Sequence, residues 1–491
     1  MEFAASRFNA QVASGANMME TGLLFVSLIP LLVLFGLVIW SWRRNVLLRT
    51  VILCATLIHE LLLVVFPAWY SVLTDFELEG IGNMQAMVGA DELLLVMIGE
   101  SIFVLMFALA CVVGWPRPRL QGNGSALAAS GQSQARCDRL AIYILVILGC
   151  LVYAPKIIQP LSAFQGGTGW TVEQMFVWIQ GIFGFTSLIA CALVLTRRRV
   201  MLTNPVGALL AAIPLLALLV IGFTVGIRGR ILWVVSLLVV AGILNRQTRF
   251  VALGVMIGII LIPLFAFLGG AYRYVMQDDL MTGTARQEMV TRLYEEGKNR
   301  VAGDLKDMTD EFLYSMAWRA QGPRNSVILY RQYDNGTGPG FTTYSGSIFF
   351  PIPRLVWPEK PAVGSTDGTL YSSAIYLVME VAYGMAGSMG PILASAYAYW
   401  EGGWGWLVAA GFITGLFWNI IFNLCRRLPE GMASVVALAF AAALLIDGML
   451  TMLAPLYALI VAWWQLVLPV LIIYWVVSWL LPRKGLRLHA K

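Results

Sequence analysis

Charged residues are scarce in this chain. Among its 491 residues, Lys, Arg, Asp and Glu make up 12%, histidine occurs twice, and hydrophobic residues make up 59%. So few charges cannot cover the surface of a soluble globular protein, which excludes that class. The chain consists largely of apolar runs of about 18–24 residues, each long enough for a helix to cross a ~30 Å hydrocarbon core. Because lipid satisfies no backbone hydrogen bonds, the composition predicts an all-α polytopic membrane protein.

The apolar runs predict about eleven transmembrane helices. They lie at 22–41, 50–68, 93–114, 140–158, 173–195, 205–224, 231–244, 250–268, 404–424, 431–452 and 456–480. Three regions follow from their spacing: an N-terminal transmembrane bundle of about eight spans (1–268), a large polar loop (269–403), and C-terminal helices with a tail (404–491). No period of about 20–50 residues indicates a repeat architecture.

Arginine and lysine are concentrated in every second connection between the predicted spans. These connections contain Arg43, Arg44, Arg49, Arg117, Arg119, Arg136, Arg139, Arg197, Arg198, Arg199, Arg246, Arg249, Arg426 and Arg427, and the tail is also basic. The opposite connections contain few, and the one at 69–92 is acidic. Cytoplasmic loops are the basic ones, so we expect a bacterial inner-membrane protein with a periplasmic N-terminus, a periplasmic large loop and a cytoplasmic C-terminus. The pI of about 9.0 then needs no nucleic-acid partner.

Cysteine and histidine are absent from the predicted large loop. Of six cysteines, none lies between residues 269 and 403, and the histidines are His59 and His489. A disulfide framework for the loop is therefore excluded. The sequence also contains no CxxC or Cys/His spacing, and we predict neither a metal site nor a cofactor.

The large loop divides into three parts. Residues 286–316 have apolar positions at helical spacing, which predicts an amphipathic helix, either packed on the membrane domain or acting as a lid. Gly and Pro are frequent from Gly322 to Gly340, around Arg324, and predict loop and turns. Residues 351–361 contain four prolines and predict an extended, rigid path. That path would present Arg354 and Lys360 as fixed cations or serve as a structural brace.

A second basic feature is the predicted hairpin Gly226-Ile227-Arg228-Gly229-Arg230. Positive charge is disfavoured on the outer side, so these arginines need a reason. They either extend to lipid phosphate at the interface or form an anion site, in which guanidinium groups bind phosphate bidentately. The tight turn and its two cations favour the anion site.

These elements resemble the O-antigen polymerase (Wzy-type) family of repeat-unit polymerases. The resemblance rests on GxRG at 226–229, on PRxxWPxKP at 353–361, on a Gly-rich re-entry near 387–405, and on the hydrophobic layout. It implies an all-helical fold similar to GT-C-type membrane glycosyltransferases. It also implies an enzyme that joins oligosaccharide units carried on undecaprenyl diphosphate, at the periplasmic face, to make O-antigen, capsule or exopolysaccharide. Its partners would be that lipid-linked substrate, the bilayer and a chain-length regulator.

Site residues follow from the chemistry of that reaction. Departure of a lipid diphosphate builds negative charge, which metal ions or fixed cations stabilise. Without a metal motif, we predict that Arg228, Arg230, Arg324, Arg354 and Lys360 bind the diphosphate. Sugar rings would stack on aromatic residues, for which we predict Trp357 and Tyr397.

A general base would deprotonate the acceptor hydroxyl. The family often carries a Glu shortly before a Tyr, but residues 395–400 (SAYAYW) contain no carboxylate. We therefore predict Arg354, Glu380 and Glu401 as the catalytic residues, with Asp367 and Asp447 as further base candidates.

Ionisable groups also occur inside predicted spans: His59 and Glu60 in the second, Glu100 in the third. Such groups are costly in lipid, and they form either a structural pair or a proton relay.

Two other functions share parts of this layout. An O-antigen ligase would place a histidine in the large loop, where none occurs. A transporter or flippase would show repeats, broken helices and a polar path through the bilayer. Polymerase is favoured.

Overall fold

The structure is a computed structural model that describes residues 2–44, 47–73, 88–113, 139–153, 183–196, 205–225, 228–245, 322–336, 392–425 and 456–480, with a few isolated positions between these ranges. Within these ranges the regular structure is helical throughout. The predicted all-α class is therefore confirmed for this part of the chain.

The helices are numbered here in chain order. They are α1 (Glu2–Arg43), α2 (Leu47–Glu60), α3 (Phe66–Leu73), α4 (Ala90–Val113), α5 (Arg139–Tyr153), α6 (Phe185–Thr196), α7 (Pro205–Val225), α8 (Arg228–Leu244), α9 (Gly322–Asp334), α10 (Ala394–Cys425), α11 (Leu456–Ala462) and α12 (Leu468–Leu480). Short π-helical segments, Leu61–Val65 and Trp463–Val467, join α2 to α3 and α11 to α12.

Three of these helices are long and apolar enough to cross a membrane. They are Met19–Arg43, Ala90–Val113 and Ala394–Leu424, and they contain the predicted spans 22–41 and 404–424 and nearly all of 93–114. Shorter apolar helices at Arg139–Tyr153, Thr186–Thr196, Pro205–Leu219 and Leu468–Leu480 overlap four other predicted spans. The described part of the chain is thus all-helical, and its apolar helices make this a membrane-embedded protein; the total of eleven spans stays a prediction.

The chain forms two compact units. The first comprises Met1–Ala128, Arg319–Pro429 and Ala443–Leu468, and the second comprises Ala129–Trp318, Glu430–Ala442 and Pro469–Lys491. Helices α1 to α4 and α9 to α11 therefore belong to the first unit. The second contains α5 to α8 and nearly all of α12, and within it α6, α7 and α8 pack on one another. Asn245, just after α8, donates to the Thr196 hydroxyl at 2.6 Å in this second unit.

Helix α4 lies at the centre of the first unit, between α1 and α10. The Ser101 hydroxyl is placed to donate to the Val26 carbonyl on α1, at 3.2 Å. On its other side α4 meets two glycines of α10. A Cβ at Gly411 would lie 2.6 Å from the carbonyl oxygen of Phe103, and one at Gly415 would overlap that of Phe107. Glycines four residues apart allow two helix backbones to approach closely, which fixes the register of α4 against α10.

Helix α9 replaces a segment that the sequence predicted as loop and turns. That prediction was wrong for 322–334 because Pro323 lies in the first turn, where a helix needs no backbone N–H, and residues 324–334 contain neither Gly nor Pro. The turn signal applies only to the end of the helix. There Gly336 adopts a φ of 76°, and its N–H donates to the Tyr333 carbonyl at 2.8 Å.

Candidate functional site

Two glycines interrupt α10. Gly402 (φ −165°, ψ 22°) and Gly403 (φ 68°, ψ −161°) leave the helical conformation, which divides α10 into α10a (394–401) and α10b (404–425). Gly403 lies in the region that favours glycine. A Cβ there would also lie 2.6 Å from the Tyr333 hydroxyl of α9, so the break and α9 fit closely together.

The chain reverses direction at this break. Phe103 lies level with Gly411 and Phe107 with Gly415, so in a straight α10 the side chain of Glu100 would lie near residue 408. Instead Glu100 accepts a hydrogen bond from Ser395 at 2.5 Å. Residues 395 and 408 of a straight helix would be about 20 Å apart along the axis, beyond the reach of these side chains. Therefore α10a folds back beside α10b and begins deep within the unit.

Helix α9 lies beside α10a and points the same way. Near its start, the Ser326 hydroxyl accepts the Leu393 N–H at 3.0 Å. Further along, the Tyr330 ring stacks on Tyr399 with centroids 4.0 Å apart, and Asp334 accepts the Tyr399 hydroxyl at 2.9 Å. The first nine residues of α9, Gly322 to Tyr330, are buried. Its polar first turns are thus enclosed by the first unit.

An ion pair joins the end of α9 to the start of α4. Arg331 donates from Nε to Glu92 Oε1 at 2.6 Å and from Nη2 to Oε2 at 2.5 Å. The hydrogen bond to Glu92 raises the pKa of Arg331, so the guanidinium keeps its charge. This bidentate geometry fixes orientation, while its partial exposure limits its contribution to stability.

The deep ends of α9 and α10a lie level with the middle of α4. Glu100 is the eleventh residue of this 24-residue helix, about 15 Å from its start. Glu100 is buried, and so is Glu60 of α2. Non-helical or polar chain at such depth occurs only where protein or a water-filled cavity surrounds it. This region is the candidate functional site.

Glu401 lies at the opposite, turn end of α10a. It is buried, and its Oε2 accepts the Trp406 indole N–H at 2.9 Å across the glycine break. The bond links α10a to α10b directly after the reversal. Trp404 approaches Tyr399 edge-on at 5.2 Å, so aromatic rings surround this turn.

The structure brings three predicted site residues into the first unit. Arg324 lies in the first turn of α9, and Tyr397 and Glu401 lie on α10a; all three are buried. Arg228 and Arg230 begin α8 in the second unit, where the backbone alone is described. Four other predicted site residues lie outside the described residues: Arg354, Trp357, Lys360 and Glu380. The predicted helix at 286–316 lies outside them as well.

Sequence reasoning missed several residues that build this region. The sequence identified Glu60 and Glu100 as charges within spans, but it did not identify the residues of α9 and α10a that pack in this unit: Ser326, Tyr330, Arg331, Ser395 and Tyr399. Two signals were available. The Gly402-Gly403 pair beside an apolar run indicates a break, and Gly411-x-x-x-Gly415 indicates a close helix contact.

Within the described ranges, no three His, Cys, Asp or Glu side chains group closely enough to hold a metal ion. The chain matches no known family model, no curated protein and no solved structure.

Proposed function

We propose that the chain is a membrane glycosyltransferase that polymerises oligosaccharide repeat units carried on undecaprenyl diphosphate, at the periplasmic face of a bacterial inner membrane. One observation carries this proposal. Two segments of the polar 269–403 region, α9 and α10a, enter the helix bundle and bring an arginine and carboxylates beside long apolar helices. A lipid-linked substrate needs that juxtaposition, because its diphosphate and sugars remain attached to a chain buried in the bilayer.

The residues present suit glycosyl transfer. A buried arginine such as Arg324 stabilises the charge that develops on a departing diphosphate, and its planar guanidinium binds phosphate bidentately. In this mechanism Arg354 and Lys360 of the Pro-rich element complete the cationic site. Glu401 serves as the base that takes the proton of the acceptor hydroxyl, since it lies on a turn that the Trp406 contact keeps in place.

A transporter or flippase for the same lipid-linked glycan is the second candidate. It is favoured by the reversal at Gly402-Gly403 together with the buried Glu60 and Glu100. Transporters bind their substrates where broken helices meet near the bilayer midplane, and polar groups line that path. The two candidates differ in what reaches the cell surface when the protein is absent.

Deletion of the coding gene distinguishes them. Surface glycan from the deletion strain is separated on a gel and compared with wild type. If the protein is the polymerase, the lipid anchor carries a single repeat unit in place of a ladder. Loss of every repeat unit would contradict the polymerase proposal and point to a transporter or a ligase.

Complementation of the deletion strain tests the site. We expect Arg354→Ala and Glu401→Gln to leave single repeat units, because one removes a fixed cation and the other the base. Gln keeps an oxygen that can accept from Trp406, so the turn is preserved. Glu20→Gln on α1 is the matched control and should restore the ladder. Wild-type chain lengths in a folded Arg354→Ala or Glu401→Gln protein would remove that residue from the mechanism.

A further inference from the structure

The proposed transfer reaction leaves two buried carboxyl groups unused. Glu60 on α2 and Glu100 on α4 expose 1% and 2% of their surfaces. Arg49 on α2 donates to the Cys111 carbonyl of α4 at 3.4 Å, and α2 and α4 run in opposite directions because α1 is antiparallel to one and parallel to the other. Glu60 and Glu100 each lie eleven residues, about three helical turns, from that contact, so the two side chains lie at the same level where the helices face one another. Both lie among apolar helices. Glu100 belongs to one of the three helices that are long and apolar enough to span a membrane.

Among the described residues, no cation is one of the groups that act electrostatically on either carboxyl. Glu100 accepts from Ser395, which is neutral, and Glu60 Oε1 has no hydrogen-bond partner. Two ionised carboxylates side by side in a medium of low dielectric constant repel one another and lose their hydration, at a cost of several kcal/mol per ion. One positive charge bound between the two carboxylates would reduce both their mutual repulsion and the cost of their lost hydration.

The Tyr330 hydroxyl is a second buried polar group beside Glu100. The Tyr330 hydroxyl of α9 is buried without a hydrogen-bond partner, packs against the backbone of Gly99, and interacts electrostatically with Glu100. Beyond it, Tyr330 stacks on Tyr399, whose hydroxyl bonds to the exposed Asp334. Polar groups therefore extend from the carboxyl pair to the surface of the first unit.

We propose that Glu60 and Glu100 form a proton-binding site in which two carboxyl groups share one proton. Among the described residues, Tyr330 on α9 is a titratable group that acts on Glu100, and α10a contributes the neutral Ser395. His59 precedes Glu60 on α2 and lies about 100° around that helix. A carboxyl pair with one proton carries one negative charge instead of two, and the proton bonds one oxygen to the other.

Infrared spectroscopy of the full-length protein in lipid counts that proton. A protonated carboxyl has a carbonyl stretch that an ionised one lacks, and the band shifts in deuterium oxide. At neutral pH we expect the pair to contribute a carbonyl band with the amplitude of one protonated carboxyl. This band should be lost in the double variant Glu60→Gln/Glu100→Gln. Glu92→Gln on the same helix is the matched control and should keep the band, because Arg331 holds Glu92 ionised. An amplitude of zero or of two carboxyls from the pair would overturn the proposal.

Two further measurements test the site if the double variant does not fold, and distinguish a proton from a metal cation. If the double variant fails to fold, wild-type protein treated with dicyclohexylcarbodiimide, which reacts with protonated carboxyls, should carry its adduct on Glu60 or Glu100. Absence of the adduct from both, with the reagent attached elsewhere, would overturn the site. Spectra in sodium chloride and in choline chloride should be identical. Loss of the band in sodium alone would identify a metal-cation site and overturn the shared proton. None of these readouts depends on glycosyl transfer, so they stand apart from the proposed function.

Discussion

At the scale of single residues, Gly99 determines how closely α9 approaches α4. Its backbone faces the Tyr330 hydroxyl, and any Cβ at this position would overlap that oxygen. The Tyr330 ring is in turn fixed by its stacking on Tyr399. No room therefore remains for a methyl group unless α9 itself shifts.

We predict that Gly99→Ala destabilises the protein by about 1–3 kcal/mol, the usual cost of overpacking a well-filled core. Alanine is the better helix former by about 1 kcal/mol, so a loss of stability would arise from the overlap alone. Thermal unfolding in detergent measures it. The matched control is Gly36→Ala on α1, where nothing lies within 4 Å, and its unfolding temperature should equal or exceed that of wild type.

The double variant Gly99→Ala/Tyr330→Phe tests whether overlap with the Tyr330 hydroxyl causes the loss of stability. Removal of the hydroxyl takes away the atom that the methyl would meet first, so part of the lost stability should return. If Gly99→Ala unfolds at the wild-type temperature, the close contact between α4 and α9 is wrong.

Individual site residues differ in how far sequence could predict them. Glu60 and Glu100 were recognisable because a charge within an apolar run needs an explanation whatever the fold. Tyr330 and Ser395 were not, since each lies outside the predicted spans and acquires its role through contacts with residues far away in the chain. Such contacts depend on helix register, which composition does not encode.

At the scale of elements, the reversal of α10 depends on Gly403. Its φ of 68° with ψ of −161° is a conformation essentially restricted to glycine that costs an ordinary L-residue about 1–3 kcal/mol, and a Cβ would also press on the Tyr333 hydroxyl. We predict that Gly403→Ala lowers the unfolding temperature and, in the deletion strain, fails to restore glycan chain growth. Gly405→Ala, two residues further along with open space around its Cβ, should behave as wild type. Equal behaviour of the two variants would argue against a strained turn.

The elements themselves were partly predictable. The span predicted at 404–424 coincides with α10b because the apolar run starts directly after the glycine break. The helix at 322–334 was missed because its flanking Gly and Pro residues outweighed an uninterrupted stretch between them. A Gly-rich re-entry near 387–405 was part of the predicted family resemblance, but the contacts of α10a with Glu100 and α9 could not be predicted, because they depend on how distant segments pack.

At the scale of the whole molecule, the orientation of the chain in the membrane stays a prediction. The Glu92–Arg331 pair places the end of α9 beside the start of α4, as expected if the 69–92 connection and the large loop lie on one side. We predict that a membrane-impermeant maleimide added to intact spheroplasts labels Asn335→Cys but not Arg249→Cys. Both positions are exposed, so accessibility from one side alone separates them. The reverse pattern would invert the topology.

The burial of α9 also has a consequence for biogenesis. With Arg324, Asn325, Arg331, Gln332 and Asp334 within thirteen residues, α9 would not partition into lipid on its own, since each central charge costs about 2.5–3.5 kcal/mol at the translocon. In the predicted orientation, α9 is therefore exported with the polar loop and inserted afterwards. Its docking becomes favourable only once α4 and α10 have assembled and offer Glu92, Gly99 and the reversed segment as partners. Assembly of this protein accordingly ends with a post-insertional step, and a chain stalled before that step would expose α9 to proteases on the side of the large loop.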